Sequence, residues 1–380
     1  MLGHQKTKGF PNRVGLDIGN HTVNGVEVVE HGSELTIRSA GAAAIPGLKS
    51  RQDTPDQSAT LHAIRNLWSS ARFTSKKVVL ALPPQAVYIK WLHLEAQDET
   101  ELENTARATA ARGAPFSADD AVVDFRILSA RGLKTRNVYF TMLVAASGSY
   151  IDDMLNIVES AGLDPVAVDI GVAAALRSQQ SQHNTASHLW SGQPKAHCIM
   201  GAKTTTIAVM RGNALEFART VPVGGNDFTE AIIEHANVTW AEAEKIKTSP
   251  DARLTSGSVL VATTSSGELR IPCDNVVGRL AREIQRSLKF FSSQFAEGSY
   301  LGMIGAVTAS GGAALMKGID TCLQEQGIEL ARIVNPFTGF SVAAEAGGMQ
   351  HISGSAAAYT TSMGLAATNY WEESEMSAAA

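Results

Sequence analysis

Three glycine-bearing turns carry the residues of this chain best able to hold an anion: Asp17-Ile18-Gly19, Ile199-Met200-Gly201 and Ser310-Gly311-Gly312. Each follows a short apolar run. Glycine lets a backbone approach a ligand closely, and consecutive amides at a turn or helix start can surround a phosphate without using any lysine. Taken singly, each turn also reads as a plain hairpin tip or helix start. His21 has no second histidine at metal-ligand spacing, which makes it a polar loop residue. Glu244 and Lys247, three apart on a helical stretch, also fit an ordinary surface ion pair. Cys198, Cys273 and Cys322 lie far apart without a CxxC pair. They suggest neither a zinc site nor a disulfide framework, and a reducing compartment is their natural setting.

The elements that must position these turns can be read around them. VGLDIGNHTVNGVEVV, from Val14 to Val29, is an apolar strand, a glycine tip with Asn20, His21 and Thr22, and a returning β-branched strand. A further strand follows at Glu34 to Ser39. Pro46 to Ser58 reads as loop and ends where Leu61, Ile64, Leu67 and Trp68 recur at helical spacing. Lys77 to Leu82 is a strand closed by Pro83-Pro84. From there to about Ala145, a strand, a helix (Glu99 to Arg112) and strands at Val122 to Ser129 and Val138 to Ala145 form a compact α+β insertion. A helix from Ser147 to Ser160 and a strand from Val166 to Ile170 precede Gly171, which opens another helix. Ser178 to Lys195 is the best linker in the chain.

Beyond it the opening pattern returns in HCIMGAKTTTIAVMRGNALEFART, from His197 to Thr220. Gly201 stands beside Gly19, Thr204 beside Thr22, Ala208 beside Val26 and Met210 beside Val28, and a shorter turn brings Leu215 beside Leu35. Two related halves follow from this. Gly224-Gly225-Asn226 then opens a helix, another helix covers Trp240 to Lys247, and Leu280, Ile284, Leu288 and Phe291 line one face of a long helix as core. A strand at Ala306 to Ala309 leads into Ser310-Gly311-Gly312, and Ala356 to Tyr370 makes a closing helix.

The 380 residues suffice for two domains, and 44% apolar with 18% charged residues is ordinary for a soluble globular protein. A net charge of -5 gives no electrostatic footprint for nucleic acid or anionic lipid. The opening MLGHQKTKGFPNR lacks the apolar core of a signal peptide, and no run approaches the roughly 18 apolar residues of a membrane-spanning helix. The expectation is a cytoplasmic protein without direct membrane insertion.

The order of the motifs is more specific than any one of them. A duplicated hairpin, a GG-helix, a Glu-x-x-Lys helix and a late strand-SGG-helix match the actin-like nucleotide-binding fold. More narrowly, the chain resembles the PilM family, actin-like cytoplasmic proteins of type IV pilus assembly, with FtsA the nearest relative of different function. The resemblance runs through VVLALPPQAVY, VDFRILS with NVYFTMLVAA, AGLDPVAVDI, ARTVPVGGNDFTEAI, AEAEKIK, REIQRSLKFF, TASGGAALMKGI and IVNPF. It implies an α/β, actin-like (ribonuclease H-like) duplicated two-domain fold. The first domain would cover 1–190 with a partner-binding insertion at 75–146. The second would cover 191–335 with a smaller subdomain at 226–275, and 336–380 would return to the first domain.

The resemblance also implies a site for ATP with Mg. Gly19, Asn20, His21 and Thr22 would form the first phosphate loop, and Asp17 would hold the hydration shell of the metal. Gly201, Lys203, Thr204 and Thr205 would form the second, with Gly224 and Gly225 facing the phosphates from a helix start. Glu244 and Lys247 fall where the family contacts ribose and base, and Gly311, Gly312 and Ala313 would close over the adenosine. Ile199 stands where the second loop normally carries an aspartate, and Asn24 where the family often has lysine. Isoleucine can neither accept from metal-bound water nor orient an attacking one, so little turnover is expected. The implied partner is the short cytoplasmic N-terminal peptide of a PilN-like inner-membrane protein, held in a groove beside the insertion. The chain would thereby sit at the inner membrane through partners and connect to the cytoplasmic motor ATPase and platform protein, with homo-oligomerisation left open. An active ATPase of a pilus or type II secretion machine and an FtsA-like filament former are the alternatives. The tail EESEMSAAA has no basic amphipathic pattern, which counts against the latter.

Overall fold

The computed structural model describes residues 12–31, 34–132, 137–183, 192–265, 267–347 and 352–368. Residues 184–191 of the expected linker and 369–380 of the C-terminal tail lie outside them, whereas 178–183 of that linker are helical. Strands β1 (Asn12–Ile18), β2 (Thr22–His31), β3 (Glu34–Ala44), β4 (Lys77–Leu82), β8 (Asp164–Ile170) and β17 (Ser341–Gly347) form one sheet, ordered β17-β3-β2-β1-β4-β8. Strands β9 (Lys195–Met200), β10 (Thr205–Arg211), β11 (Ala214–Val221), β15 (Ala306–Ser310) and β16 (Arg332–Ile333) form another, ordered β11-β10-β9-β15-β16. In both halves the first three strands are antiparallel and the next two run parallel to the first.

The duplication extends to single bonds. The Gly19 amide donates to the Thr22 carbonyl at 3.0 Å, and the Gly201 amide to the Thr204 carbonyl at 2.8 Å. Asp17 pairs with Asn24 across the first hairpin as Ile199 pairs with Thr206 across the second. Each third strand carries a bulge at the same place, Arg38 opposite the Glu27–Val28 step and Glu216 opposite the Val209–Met210 step. The hairpin lengths correct one expected equivalence: Leu215 faces Met210 as Ile37, not Leu35, faces Val28, because the first hairpin runs two pairs further past that point than the second.

Helix α1 (Gln57–Ala71) starts at Asp56, whose carboxylate accepts from the Ala59 amide, and buries Ala63, Ile64 and Leu67 on the first sheet. On the other face, α4 (Gly171–His183) packs against the closing helix α9 (Thr360–Ala366). A Cβ at Gly15 would meet the Ser362 carbonyl oxygen at 2.0 Å, so α9 lies on β1 only because that position is glycine. The expected closing helix begins earlier and tighter, as a 3₁₀ run over Ser353–Tyr359. The Ala357 carbonyl accepts from the Gly311 amide and the Thr360 hydroxyl, which takes it from the α-helical ladder.

The insertion is a sheet ordered β5-β7-β6, from β5 (Val87–Ala96), β6 (Ala121–Gly132) and β7 (Asn137–Ser147), with α2 (Glu99–Gly113) on one face. Leu94, Leu102, Ala106, Ala110 and Leu143 make its core. The other face, through Ile89, Trp91, Met142 and Val144, joins a cluster containing Ile170 and Leu176 of the first half and Ala208, Met210 and Leu215 of the second. Trp91 Nε1 donates to the Leu215 carbonyl at 2.8 Å. The insertion therefore bridges both halves.

In the second half, α5 (Gly225–Ala236), α6 (Trp240–Lys247) and the sheet of β12 (Arg253–Thr255), β13 (Val259–Thr264) and β14 (Gly267–Pro272) form the subdomain above α7 (Asp274–Ser292). Leu280, Ile284 and Phe291 of the α7 stripe are buried, and α8 (Ile319–Glu325) packs beside it. Among the described residues, no helix is long and apolar enough to cross a membrane.

Candidate nucleotide cleft

The two glycine hairpins place their tips at the ends of β1 and β9, facing the seam between the halves. Asp17, just before the first tip, is half-buried, and burial pushes its pKa up to about 6. An acid held this way gains from a hydrated cation beside it, because the cation restores the solvation that burial removed. The residues at this end of the cleft thus fit magnesium held through water. Among the described residues, no group of three His, Cys, Asp or Glu could bind a metal directly.

His21 crosses the seam. Its Nε2 lies 3.3 Å from Glu244 Oε2 on α6. Burial lowers its pKa, opposed by Glu244 and assisted by Lys247. Glu244 accepts from the Thr229 hydroxyl, and its Oε1 lies 2.5 Å from Lys247 Nζ. Lys247 also donates to the Thr229 hydroxyl at 2.7 Å and to the Gly225 carbonyl at 3.1 Å. Burial lowers the Lys247 pKa, and the Glu244 carboxylate opposes that shift. The pair faces inward, tying α6 to the start of α5.

Gly224 is required by packing: a Cβ there would meet the carbonyl oxygens of Ala202 and Gly201 at 2.5 and 2.6 Å. The Gly225 and Asn226 amides donate to those same two carbonyls at 2.9 and 2.8 Å, and the Gly224 amide donates to Asp227 Oδ2 at 2.8 Å. The start of α5 thus spends its amides on the second loop. Gly311, at φ 92°, packs on Met200, whose carbonyl oxygen would lie 2.3 Å from a Cβ, whereas Gly312 faces open space. A Cβ built on Gly225 would lie 3.5 Å from Ala313 Cβ and 3.7 Å from Lys247 Nζ. Gly225, Lys247, Glu244 and Ala313 therefore converge, and the sequence candidates of the second half share one wall.

Other candidates are committed elsewhere. The Thr205 hydroxyl donates to the Val223 carbonyl at 2.8 Å, the Thr22 hydroxyl accepts from Asn24 at 3.4 Å, and Lys203 Nζ donates to the Gln52 carbonyl at 3.3 Å. Thr204 contributes its carbonyl to the hairpin tip, and Asn20 sits half-buried beside His21. Ile199, where a carboxylate would be needed for hydrolysis, packs into the apolar cluster under the insertion.

Two features of the cleft were not legible in the chain. Arg51, in the loop read only as a connection, reaches the second half: it donates to the Pro222 carbonyl at 2.7 Å and lies 3.2 Å from Asp227, which also pairs with Arg279. Arg51, Pro222, Val223, Arg279 and Glu283 line a cavity of about 300 Å³ there. The loop has no periodicity, so nothing local announces a long-range contact. His197, beneath the third turn, lies 2.8 Å from both the Thr308 and Ser310 hydroxyls, and burial pushes its pKa down to about 3, which keeps it neutral.

The fold is similar to that of the PilM-PilN type IV pilus biogenesis complex, at 24% identity, covering 93% of this chain and 97% of that one, with a TM-score of 0.74. It is also similar to the ethanolamine utilization protein EutJ from Carboxydothermus hydrogenoformans, at 14% identity, covering 94% of this chain and 90% of that one, with a TM-score of 0.52. No curated protein sequence matches. The duplicated sheets and inserted subdomain are those of the actin-like fold. The family model for the type IV pilus assembly protein PilM matches residues 15–370, and the chain belongs to that family.

Proposed function

We propose that the chain is a cytoplasmic adaptor of type IV pilus assembly. It holds the N-terminal cytoplasmic peptide of a PilN-like inner-membrane protein between its insertion and its first half, with ATP and Mg bound and little turnover. Through that peptide it associates with the inner membrane and couples it to the motor ATPase and platform protein. Family membership and the PilN named in the similar complex support this reading.

The observation that carries it is an apolar seam where the insertion returns to the first half. Val122 of β6 is 53% exposed, and Tyr150, in the first turn of α3 (Gly148–Ser160), is 39% exposed. A Cβ at Gly148 would lie 3.5 Å from Val122, which places β6 against the start of α3. Asp120 braces the junction by accepting from the Ser147 hydroxyl at 2.6 Å and the Ser149 amide at 2.7 Å. Exposed apolar side chains on a braced framework suit an extended peptide that offers backbone hydrogen bonds and apolar anchors.

Nucleotide retention is supported by Asp17 and by the wall of Gly225, Ala313 and Lys247. Magnesium would supply charge neutralisation of the phosphates there, and Asp17 would orient its water. Ile199 and the committed second-loop groups favour retention over hydrolysis.

The test is titration calorimetry of the full chain with a synthetic peptide from the amino terminus of the neighbouring PilN-like protein. Binding that weakens at least tenfold in Val122→Asp, with an unchanged melting temperature, is expected. No heat over a wide concentration range with folded protein would refute the adaptor reading.

A further inference from the structure

Helix α7 turns a row of cations to solvent. Arg279, Arg282, Arg286 and Lys289 are all exposed. At about 100° and 1.5 Å per residue they fall within an arc of roughly 80° and span about 15 Å of the helix. The one acid between Asn275 and Ala296 is Glu283, which lies 2.8 Å from Arg286 and 3.6 Å from Arg219 of β11. Arg279 shares Asp227 with Arg51. Among the described residues, Arg282 and Lys289 pair with no acid. The net charge of -5 hides this row, because the surplus acids lie off this face.

The C-terminal end of the row is apolar. Eight large apolar side chains are exposed among the described residues, and four of them, Phe290, Tyr300, Leu301 and Met303, sit here. Phe290 leans on Phe217 of β11, with ring centroids 5.9 Å apart. Ser292, roughly 160° around the helix from Phe290, holds the 3₁₀ turn Tyr300–Gly302 by donating to the Gly302 carbonyl at 2.7 Å. Arg211 braces the same turn, donating to the Leu301 carbonyl at 2.6 Å while its guanidinium lies 5.7 Å from the centre of the Phe295 ring. Apolar side chains thus flank Lys289 and Ser293 on a fixed frame. Exposed apolar groups clustered in this way, with charges beside them, mark a surface for a partner.

The sheet beneath α7 shows which way this surface faces. Successive residues of a strand point to opposite faces. Ala208, Met210 and Leu215 meet the insertion, whereas Val209 and Phe217 meet Leu288 and Phe291 of α7. Helix α7 therefore lies on the face of the second sheet turned away from the insertion. We propose that it docks an acidic amphipathic helix of a cytoplasmic partner. Carboxylates spaced three and four residues apart on that helix lie along the cation row, and an apolar side chain one turn further on seats between Phe290 and Leu301. The charges steer approach and fix register, and the apolar end supplies the desolvated contact. An anionic bilayer offers the same charges, but a chain held by its insertion to a membrane protein turns α7 away from the bilayer. That choice of partner rests on the adaptor reading; the docking surface does not.

Fluorescence anisotropy of the full chain, without the PilN-like peptide, tests the proposal with a labelled synthetic helix of about 14 residues, roughly four turns. The probe carries glutamates along one face, with leucine and phenylalanine in its last turn. One control is an isomer of equal charge whose apolar residues sit on the opposite face, and the other is vesicles containing phosphatidylglycerol. The probe should bind at least about tenfold tighter than the isomer, and more weakly as salt rises. The double variant Arg282→Glu with Lys289→Glu, and separately Leu301→Ser, should each weaken it about tenfold or more at unchanged melting temperature. Saturating PilN-like peptide should leave the affinity unchanged, because the two surfaces lie on opposite faces. No binding, equal binding of the isomer, or variants that bind as wild type does would overturn the proposal. Vesicle binding lost in the same variants would replace the protein partner by a lipid surface. Docking of the probe by a chain that ignores the PilN-like peptide would sink the adaptor reading and leave the docking surface standing.

Discussion

Replacing Gly311 by alanine should cost far more than the same change one residue later. Gly311 has φ 92° and ψ 168°, a region that side-chain-bearing residues essentially avoid, at a cost of about 1–3 kcal/mol. A Cβ there would also lie 2.3 Å from the Met200 carbonyl oxygen. Neither side yields easily, since Met200 lies in a strand paired on both sides and the Gly311 amide is tied to the Ala357 carbonyl at 2.8 Å. Forcing that contact apart adds about 1–3 kcal/mol, the usual range for overpacking. The sum, about 2–6 kcal/mol, is a large share of the roughly 5–15 kcal/mol by which proteins are stable. Gly312 has no atom within 4 Å of a built Cβ, so Gly312→Ala should stay within about 0.5 kcal/mol of wild type. Urea unfolding at constant slope reads both differences directly. If Gly312 lines the adenosine, its alanine variant should lose part of the ATP-dependent rise in melting temperature that mass action gives the wild type. A Gly311→Ala chain as stable as wild type, or equal losses at both positions, would sink the assignment of the first glycine to the fold and the second to the ligand.

Asp17→Asn should stabilise the nucleotide-free chain at pH 8 by up to about 3 kcal/mol and remove any magnesium dependence of ATP protection. The sign follows from the raised pKa: folding penalises the ionised acid above about 6, the penalty fades as pH falls toward 3.8, and the variant should flatten that part of the stability profile. Thermal melts across pH decide it, and a destabilised Asn variant would mean that the carboxylate serves the fold. Ile199→Asp should lower stability by about 2–4 kcal/mol without creating steady-state ATP hydrolysis, because it places a carboxylate in an apolar cluster. Hydrolysis gained at full stability would show that the position faces the phosphates.

The duplication was legible because hairpins repeat a short local pattern, apolar strand, glycine, polar tip, β-branched strand, and local patterns survive without knowledge of the rest. The α7 stripe was legible for the same reason. What failed was register: the first hairpin runs three pairs past Val28 and the second only one past Met210, and because side chains alternate with a period of two, an offset of two residues leaves the apolar pattern intact. Long-range polar contacts were also invisible. Arg51 sits in a run of Ser, Gln, Asp and Pro that any loop could carry, and its partners Pro222 and Asp227 lie about 170 positions away in sequence. Within the site, residue types predicted presence in the cleft but not commitment. Thr205 and Lys203 are a hydroxyl and an ammonium that could serve a phosphate, yet each donates to a backbone carbonyl, and only coordinates reveal that choice.

The repeat makes the chemistry of the two halves directly comparable, strand position by strand position. Where β1 carries Asp17, β9 carries Ile199, and where β1 carries Gly15, β9 carries His197. Gly15 admits α9 against the first sheet, whereas His197 fills the equivalent place and is satisfied by two hydroxyls of the neighbouring strand. The exchange at Ile199 has a packing logic. The insertion covers the seam with Ile89, Trp91, Met142 and Val144, and a carboxylate beneath that face would be buried without a partner. An aliphatic residue instead joins the cluster that fixes the insertion to both halves. Loss of the second-loop acid and firm seating of the insertion are then one structural choice. A chain built this way carries an aliphatic residue where the first half has an acid, and with it gains a rigid mount for the insertion.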